Sequence, residues 1–371
     1  MRVAIVGAGI AGLTTALSFA RIGWTVSVFE RVEQIKPLGA GIQLSPNAMH
    51  VMRYLGLEHA INSVASAPRA IEIRDAVSGR SLTSVPLGMT IERRFGAPYL
   101  SIHRGDLQRI MLNEVRGDGR IALETGRAIG PRDPELDSYD LAVLASGIRT
   151  EQDEVDESQA ELTAWRTLVA SGDLPDTIKG SSTSVWLAPG AHLVHYPVRS
   201  GLETNLVLVL RNGGERPEDY GSASKGWGED AAAIVRLSNE WQSWPITERI
   251  VREPWFDGKR VRIGDAAHSI WPFAAQGGAM AIEDGWTLAA SLVEGFSTDA
   301  LHEWESARRS RRAQVAAISR RNRSIYHAKG PIRVARNVVM RTVPPRMLMR
   351  GMNGIYAWTP KHGMTPVFQE S

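Results

Sequence analysis

The feature that most constrains this chain lies in its first thirty residues. Positions 3–6 form a short run rich in β-branched residues, of the kind buried in parallel sheets. Gly7-Ala-Gly-Ile-Ala-Gly12 follows at once, and Ile10, Leu13, Leu17 and Ala20 then fall on related faces of a helix over 10–22. Gly23 suits the position after a helix end, and 25–29 reads as a second strand closed by Glu30. In such a unit Gly7 permits a tight turn, Gly9 lets the backbone approach a pyrophosphate, and Gly12 lets the helix pack close to the strand. Ala11 belongs to the same turn. The helix N-terminus offers free N–H groups to phosphates. Glu30, 18 residues after Gly12, is placed to accept hydrogen bonds from a ribose. A glycine-rich turn in another α/β fold is the competing reading. The agreement of strand, turn, helix, second strand and acid favours a dinucleotide, and FAD or NAD over NADP, whose 2′-phosphate Glu30 would repel.

The 371 residues suffice for two to three structural units of about 150 residues each. A chain that is 43% hydrophobic and 22% charged is neither disordered nor fibrous. With 43 basic and 40 acidic residues the net charge is +3, which argues against a nucleic-acid partner. The absence of cysteine excludes disulfides, thiolate metal sites and a Cys nucleophile, and suits a reducing compartment. Glycines interrupt the N-terminal apolar run, and no other segment reaches the roughly 18 apolar residues of a membrane span. The expectation is a soluble, cytoplasmic protein with an intact N-terminus and no integral membrane segment.

Ser45-Pro46 opens a helix striped by Met49, Met52 and Leu55. Residues 71–75 and 80–85 read as a hairpin around Ser78-Gly79, and 141–145 as a buried parallel strand. The acidic 150–161 stretch reads as a linker. Strands at 184–188, 191–197 and 205–211 form an antiparallel meander, followed by a helix over 229–241. A strand at 260–263 precedes helices over 277–293 and 301–327, the latter stopped by Gly330-Pro331; Pro344-Pro345 interrupts the tail. The Arg run at 308–323 reads as a solvated helix face. The fold class is therefore α/β: a Rossmann-like nucleotide-binding domain interleaved with an antiparallel-sheet substrate domain, plus C-terminal helices. The expected boundaries are 1–70, 98–160 and 252–300 for the first, 71–97 and 161–251 for the second, and 301–371 for the helical segment.

Four separated segments carry a family resemblance: GAGIAG with Glu30, Gly39-Ala-Gly-Ile-Gln-Leu-Ser-Pro-Asn47, His103-Arg-Gly-Asp-Leu107, and Gly264-Asp-Ala-Ala-His268 continuing to Glu283-Asp284. Together they resemble the single-component FAD-dependent aromatic hydroxylases of the p-hydroxybenzoate hydroxylase fold, nearest the salicylate hydroxylase and 6-hydroxynicotinate 3-monooxygenase branch. The resemblance covers nearly the whole chain. It implies non-covalent FAD, reduced by NADH or NADPH, and O2 activated as a C4a-hydroperoxyflavin. It implies hydroxylation of a small phenolic or N-heteroaromatic acid by a monomer or homodimer. Alkene epoxidation is a variant of the same chemistry. Two departures stand out. Ser146-Gly147 replaces the family's Asp-Gly pair, and 121–160 is shorter than the family norm. They motivate an alternative, a flavin-binding NAD(P)H oxidase or regulatory protein with weak hydroxylation.

The resemblance implies that Asp265 holds the ribityl chain, where its plain structural role would be a helix cap. It implies that Arg104 contacts FAD rather than forming a surface salt bridge beside Asp106, that Arg31 covers the adenine, and that Gln43 passes near the isoalloxazine. The run Pro272 to Gly278 includes Gln276, Gly277 and Gly278, and would bring backbone and a helix N-terminus to the flavin; Pro272 matches the family's proline at the reaction face. His192 and Tyr196 are the substrate-side catalytic candidates, since residues i and i+4 of a strand share a face. His195 points the other way, so the HxxH spacing is not a metal site. A histidine can take a phenolic proton and make the ring electron-rich. Trp165, Trp186, Trp255, Trp271 and Phe273 are candidates for an aromatic pocket wall.

Overall fold

The computed structural model describes residues 1–35, 40–147, 160–211, 223–246 and 253–360. The acidic 150–159 stretch lies outside them. A six-stranded sheet runs in the order Phe256–Asp257, Arg260–Arg262, Leu141–Leu144, Arg2–Val6, Thr25–Glu30, Ile121–Thr125. All pairings are parallel except the Phe256–Asp257 edge. Val3, Ala4 and Ile5 are fully buried because the sheet is covered on both faces, which explains an uninterrupted apolar run.

The second sheet has seven strands, in the order Gln242–Pro245, Leu162–Ala170, Glu203–Arg211, Ala191–Val198, Thr183–Ala188, Ala70–Asp75, Ser81–Pro86. It is antiparallel except where Thr183–Ala188 runs parallel to Ala70–Asp75. Strand alternation sorts its side chains. Trp165, Trp186, Leu193, Leu206 and Leu208 pack on one face against the Glu229–Arg236 helix. On the other, Leu162, Ala164 and Val209 pack against Phe273, with Trp271 and Tyr326 beside it. A two-stranded ribbon, Gly41–Leu44 with Leu100–His103, joins the sheets.

Two expectations need correction. The helix expected over 229–241 ends at Arg236, and 242–245 joins the sheet as an edge strand. The helix expected over 301–327 runs Thr298–Tyr326 and does stop before Gly330-Pro331, which opens a further helix, Gly330–Thr342, with Pro331 in the first turn, where a missing N–H costs nothing. The Arg run at 308–323 is not wholly a solvated face. The Thr298–Tyr326 helix buries Arg308, Arg311 and Arg312. Two of these arginines meet Glu283 and Asp284, both 0% exposed on the Gly277–Ser291 helix.

In that cluster Arg308 donates to Asp284 Oδ1 at 2.7 Å and to Glu283 Oε2 at 2.8 Å, and Arg311 donates to Glu283 Oε1 at 2.9 Å. Asn47 adds a bond to Glu283 at 2.7 Å. Asp284 Oδ2 accepts from the Gly264 N–H at 2.9 Å and pairs with His268 Nε2 at 2.8 Å. Burial alone would raise both carboxyl pKa values. The charges of His268 and Arg308 more than offset it for Asp284, and those of Arg308 and Arg311 for Glu283, so both lie below the ordinary carboxylate range. Among the described residues, no helix is long and apolar enough to cross a membrane, and no three His, Cys, Asp or Glu residues gather as a metal site.

Removing one partner of such a cluster strands a buried charge. Arg308→Met is expected to cost about 3–5 kcal/mol, read from urea unfolding. Because Asp284 and Glu283 are depressed in the folded state, their contribution is complete above the unfolded carboxylate pKa of about 4 and is lost as pH falls through the depressed range. Stability of the parent protein therefore drops on acidification, and the acid-dependent part shrinks in the Arg308 variant.

Candidate cofactor and substrate site

The turn after Arg2–Val6 and the turn after Arg260–Arg262 leave the same edge of the parallel sheet, separated by one strand. This is where doubly wound sheets bind nucleotides. Gly7 has φ +105°, and a Cβ there would lie 2.7 Å from the Ala145 carbonyl. A Cβ on Gly12 would overlap the Gly7 carbonyl oxygen at 1.8 Å, whereas one on Gly9 would meet nothing within 4 Å. The first and third glycines are thus required by the protein's own packing, and the space before Gly9 is open to a ligand. Glu30 Oε2 accepts from the Ala8 N–H at 2.8 Å, holding the acid against the turn. Arg31 is exposed beside it.

Ala11 links this turn to the second. A Cβ built on Gly264 (φ +57°) would lie 3.3 Å from the Ala11 methyl, and Gly285 sits so close to Thr15 that a Cβ there would come within 2.5 Å of its hydroxyl. The Ile10–Arg21 and Gly277–Ser291 helices therefore cross in close contact and bring Asp265 alongside the glycine turn. Asp265 keeps its side chain in contact with solvent between protein walls that approach it closely. The protein enclosing it raises its carboxyl pKa, the nearby His268 and Arg104 pull it down, and Asp284 pushes it up again. Arg104 opens the Arg104–Gly117 helix with an exposed side chain that makes no hydrogen bond or ion pair among the described residues. The surface ion pair belongs instead to Asp106, which Arg199 contacts at 3.2 Å. A fixed cation and a cleft carboxylate are thus left unspent beside an open glycine turn, which fits the anionic and hydroxyl-bearing parts of a dinucleotide.

The Pro272–Ala274 turn leads through Ala275, at φ +52°, into the Gly277–Ser291 helix. Cβ atoms on Gly277 and Gly278 would meet nothing closer than Ile42 at 3.8 Å, so the helix N-terminus faces open space. Gln276 is 1% exposed, and its side chain is committed to Asn47 at 3.0 Å and Ser45 at 2.9 Å. It locks the loop to the Pro46–Tyr54 helix and leaves only its backbone toward the cleft. The Gln43 side chain accepts from the Tyr99 hydroxyl at 2.5 Å.

His192 lies on the inner face of the seven-stranded sheet, its ring 5.2 Å from that of Phe273. Its Nδ1 meets His327 Nε2 at 2.8 Å. Burial, and next the neighbouring His327, hold its pKa well below the ordinary value, so it is neutral at pH 7. Tyr196 shares that face, but its hydroxyl donates to the Gly41 carbonyl at 2.6 Å. Asn205, opposite Tyr196 in register, accepts from the Gly41 N–H at 2.8 Å. The two candidates are therefore on one face without a shared hydrogen bond. His195 points outward against Trp186, 6.4 Å between ring centroids. Trp165 and Trp186 belong to the outer-face core and Trp255 to the parallel-sheet core; of the proposed pocket aromatics, Trp271 and Phe273 face inward.

Arg166 was not singled out from the sequence. It follows Leu162 and Ala164 at i+4 and i+2, hence on the inner face, and packs over the Trp244 ring at 5.4 Å. Its Nε is buried, and the side chain makes no hydrogen bond or ion pair among the described residues. Burial lowers its pKa, Tyr196 opposes that, and Arg104 adds to it, so all three share one electrostatic environment. The signal available in the sequence was a lone arginine among the otherwise apolar inward positions of its strand.

Residues 1–129 and 213–320 match the FAD binding domain family. The chain is 31% identical to 3-hydroxybenzoate 6-hydroxylase of Polaromonas naphthalenivorans over 96% of both chains, and 32% identical to 3-amino-4-hydroxybenzoate 2-monooxygenase of Streptomyces cremeus over 88% of both. Its fold is that of Klebsiella pneumoniae HpxO complexed with FAD and uric acid, with a TM-score of 0.81 at 22% identity over 95% of both chains. With a glycine turn, an unpaired arginine and a cleft carboxylate set around one open edge of its sheet, the chain belongs to the FAD-dependent aromatic monooxygenases.

Proposed function

We propose that the protein hydroxylates a small aromatic acid bearing an ionisable hydroxyl, with the carboxylate on Arg166 and the hydroxyl toward His192. The observation that supports this reading best is Arg166 itself. It is half-buried on the inner face with its Nε covered, packs over the Trp244 ring, and has no carboxylate among the described residues, so a ligand can supply the anion. A carboxylate matches its planar donor fork.

Bound FAD supplies the redox chemistry, with NADH or NADPH as reductant and O2 as oxidant. The chain's own residues do the rest. Gly9 and the first turn of the Ile10–Arg21 helix take the pyrophosphate, Glu30 and Arg31 the adenosine end, and Arg104 and Asp265 the middle of the cofactor. The Gly277–Ser291 N-terminus offers N–H groups and a positive dipole end to negative charge on the flavin edge. Pro272 fixes the turn that carries Phe273 over the ring, and Trp271, Leu162 and Ala164 keep water out. His192, held neutral, accepts the phenolic proton.

A second reading, an NAD(P)H oxidase with weak hydroxylation, is favoured by Ser146. The Ser146 Cα lies 3.3 Å from a Cβ placed on Gly7, so this departure sits at the first glycine turn. The two readings separate on one measurement. Hydroxylation gives ligand-stimulated NAD(P)H consumption with little H2O2, whereas oxidase chemistry gives equimolar H2O2 regardless of ligand.

Two substitutions test the site. Gly9→Ala should fold normally, since nothing blocks the added methyl, yet purify with little yellow colour; Gly12→Ala should lose stability itself, because its methyl collides with the Gly7 carbonyl. Differential scanning calorimetry with flavin absorbance distinguishes them, and equal behaviour of the two would contradict the cradle. Arg166→Gln should weaken binding of 3-hydroxybenzoate-type acids by about tenfold to a hundredfold, the worth of one charge-assisted hydrogen bond. FAD content should be retained, and Arg166→Lys should recover part of the loss.

A further inference from the structure

We infer that His327 is the outer half of a two-histidine relay that carries the substrate's phenolic proton from buried His192 to solvent. The inference rests on the reading of His192 as the residue facing the substrate hydroxyl, and it adds a residue, a direction and an exit. His192 is 4% exposed, and its only side-chain hydrogen bond among the described residues is the 2.8 Å contact from Nδ1 to His327 Nε2. Its Nε2 makes no hydrogen bond among the described residues, and Phe273 and Tyr326 wall the ring at 5.2 and 5.3 Å. With a substrate hydroxyl seated on Nε2, the other nitrogen of the ring leads only to His327 among the described residues. His327 follows the last turn of the Thr298–Tyr326 helix and is half-buried, so its ring joins the sealed pocket to the surface.

The step balances without any further reactant. The phenolic O–H bond breaks and the proton goes to His192 Nε2; the Nδ1–H proton of His192 passes to His327 Nε2; the Nδ1–H proton of His327 leaves to water. One proton crosses, and each ring ends neutral in its other tautomer. The surroundings favour passage over storage. Burial holds His327 down to about 4, helped by Arg323 on its own helix, Arg211 at the end of the adjoining strand, and Lys329 two residues on. The groups around His192 are His327 and the Tyr326 hydroxyl, itself pushed up to about 12 by burial. With cations around the outer ring and no acid partner for either ring among the described residues, neither imidazole keeps the proton at neutral pH.

The test uses the FAD-loaded protein and three probes: 3-hydroxybenzoate, 3-amino-4-hydroxybenzoate and 6-hydroxynicotinate. Each is mixed at saturating concentration in weakly buffered solution, with flavin absorbance reporting binding and an indicator dye reporting released protons. The parent protein should release a proton in step with binding. His327→Gln, which retains a side-chain amide for His192 but cannot pass a proton on, should show the flavin shift with proton release slowed by about a hundredfold, the scale of one acid–base group. Added imidazole should restore much of that rate, which a merely structural role for His327 would not allow. Thermal unfolding confirms that the variant is folded, and His327→Asn serves if it is not. Binding with undiminished proton release in the variants, or with no release in the parent, overturns the relay and leaves the aromatic-acid site standing. Failure of all three probes to shift the flavin overturns the site reading, and the relay with it.

Discussion

Everything at the cofactor edge is held by two buried carboxylates and the arginines that neutralise them. Asp284 grips the Gly264 backbone N–H and His268 while Arg308 holds its other oxygen. That fixes the strand end from which Asp265 enters the cleft. Glu283, one residue earlier, ties the same helix to Asn47 and to Arg311, whose further donors reach the Ile355 carbonyl near the C-terminus. Asn47 and Ser45 in turn hold Gln276 at the mouth of the helix. One ionic knot thus sets three loops that approach the cofactor from different parts of the chain. A pair of isosteric apolar residues could supply similar stability; it could not supply directional bonds to a backbone N–H, an amide and an imidazole together.

The opening unit was legible because its chemistry is local. The tight turn, the strand–helix contact and the acid 18 residues on are all written within thirty positions, and the structure explains two of the glycines by contacts under 3 Å. The inner and outer faces of the 191–198 strand were legible for the same reason: alternation needs only the strand itself. What could not be read were long-range pairings. Arg308 and Arg311 look like surface residues on a helix until Glu283 and Asp284 are known to lie against them. Gln276 looks like a cofactor ligand until Ser45 and Asn47, some 230 positions away, take its amide. Arg166 carries no motif, and its meaning lies in what is missing around it.

The Gly41 contact shows how the two sheets are coupled. A Cβ at that position would come within 2.6 Å of the Tyr196 ring and 3.0 Å of Asn205, so only glycine lets the ribbon seat against the seven-stranded sheet. Tyr196 and Asn205 then take up both of its backbone groups. Gly41 is thereby referenced to the same sheet that carries His192 and Arg166. A side chain anchored in this way still has lone pairs on its phenolic oxygen, although its single proton is spent on the Gly41 carbonyl. Tyr196 can therefore accept a hydrogen bond from a substrate without releasing the ribbon, but it cannot donate one unless the ribbon lets go.

That restriction decides how charge is handled on the inner face. A phenol deprotonating between His192 and Tyr196 would gain no donor from Tyr196 while Gly41 stays bound, and neutral His192 becomes a donor at Nε2 only by taking the proton itself. On the proposed reading, the developing phenolate would then be stabilised by the N–H it has just created, with Arg166 and Arg104 supplying positive potential from the same environment. Burial strengthens such interactions, because little water remains to screen them. A carboxylate in place of His192 would add a negative charge where one is forming and would spend Arg166 before any substrate arrived. A neutral base beside an unspent guanidinium avoids both costs. On the proposed reading, an imidazole beside an arginine therefore serves this pocket better than an acid would.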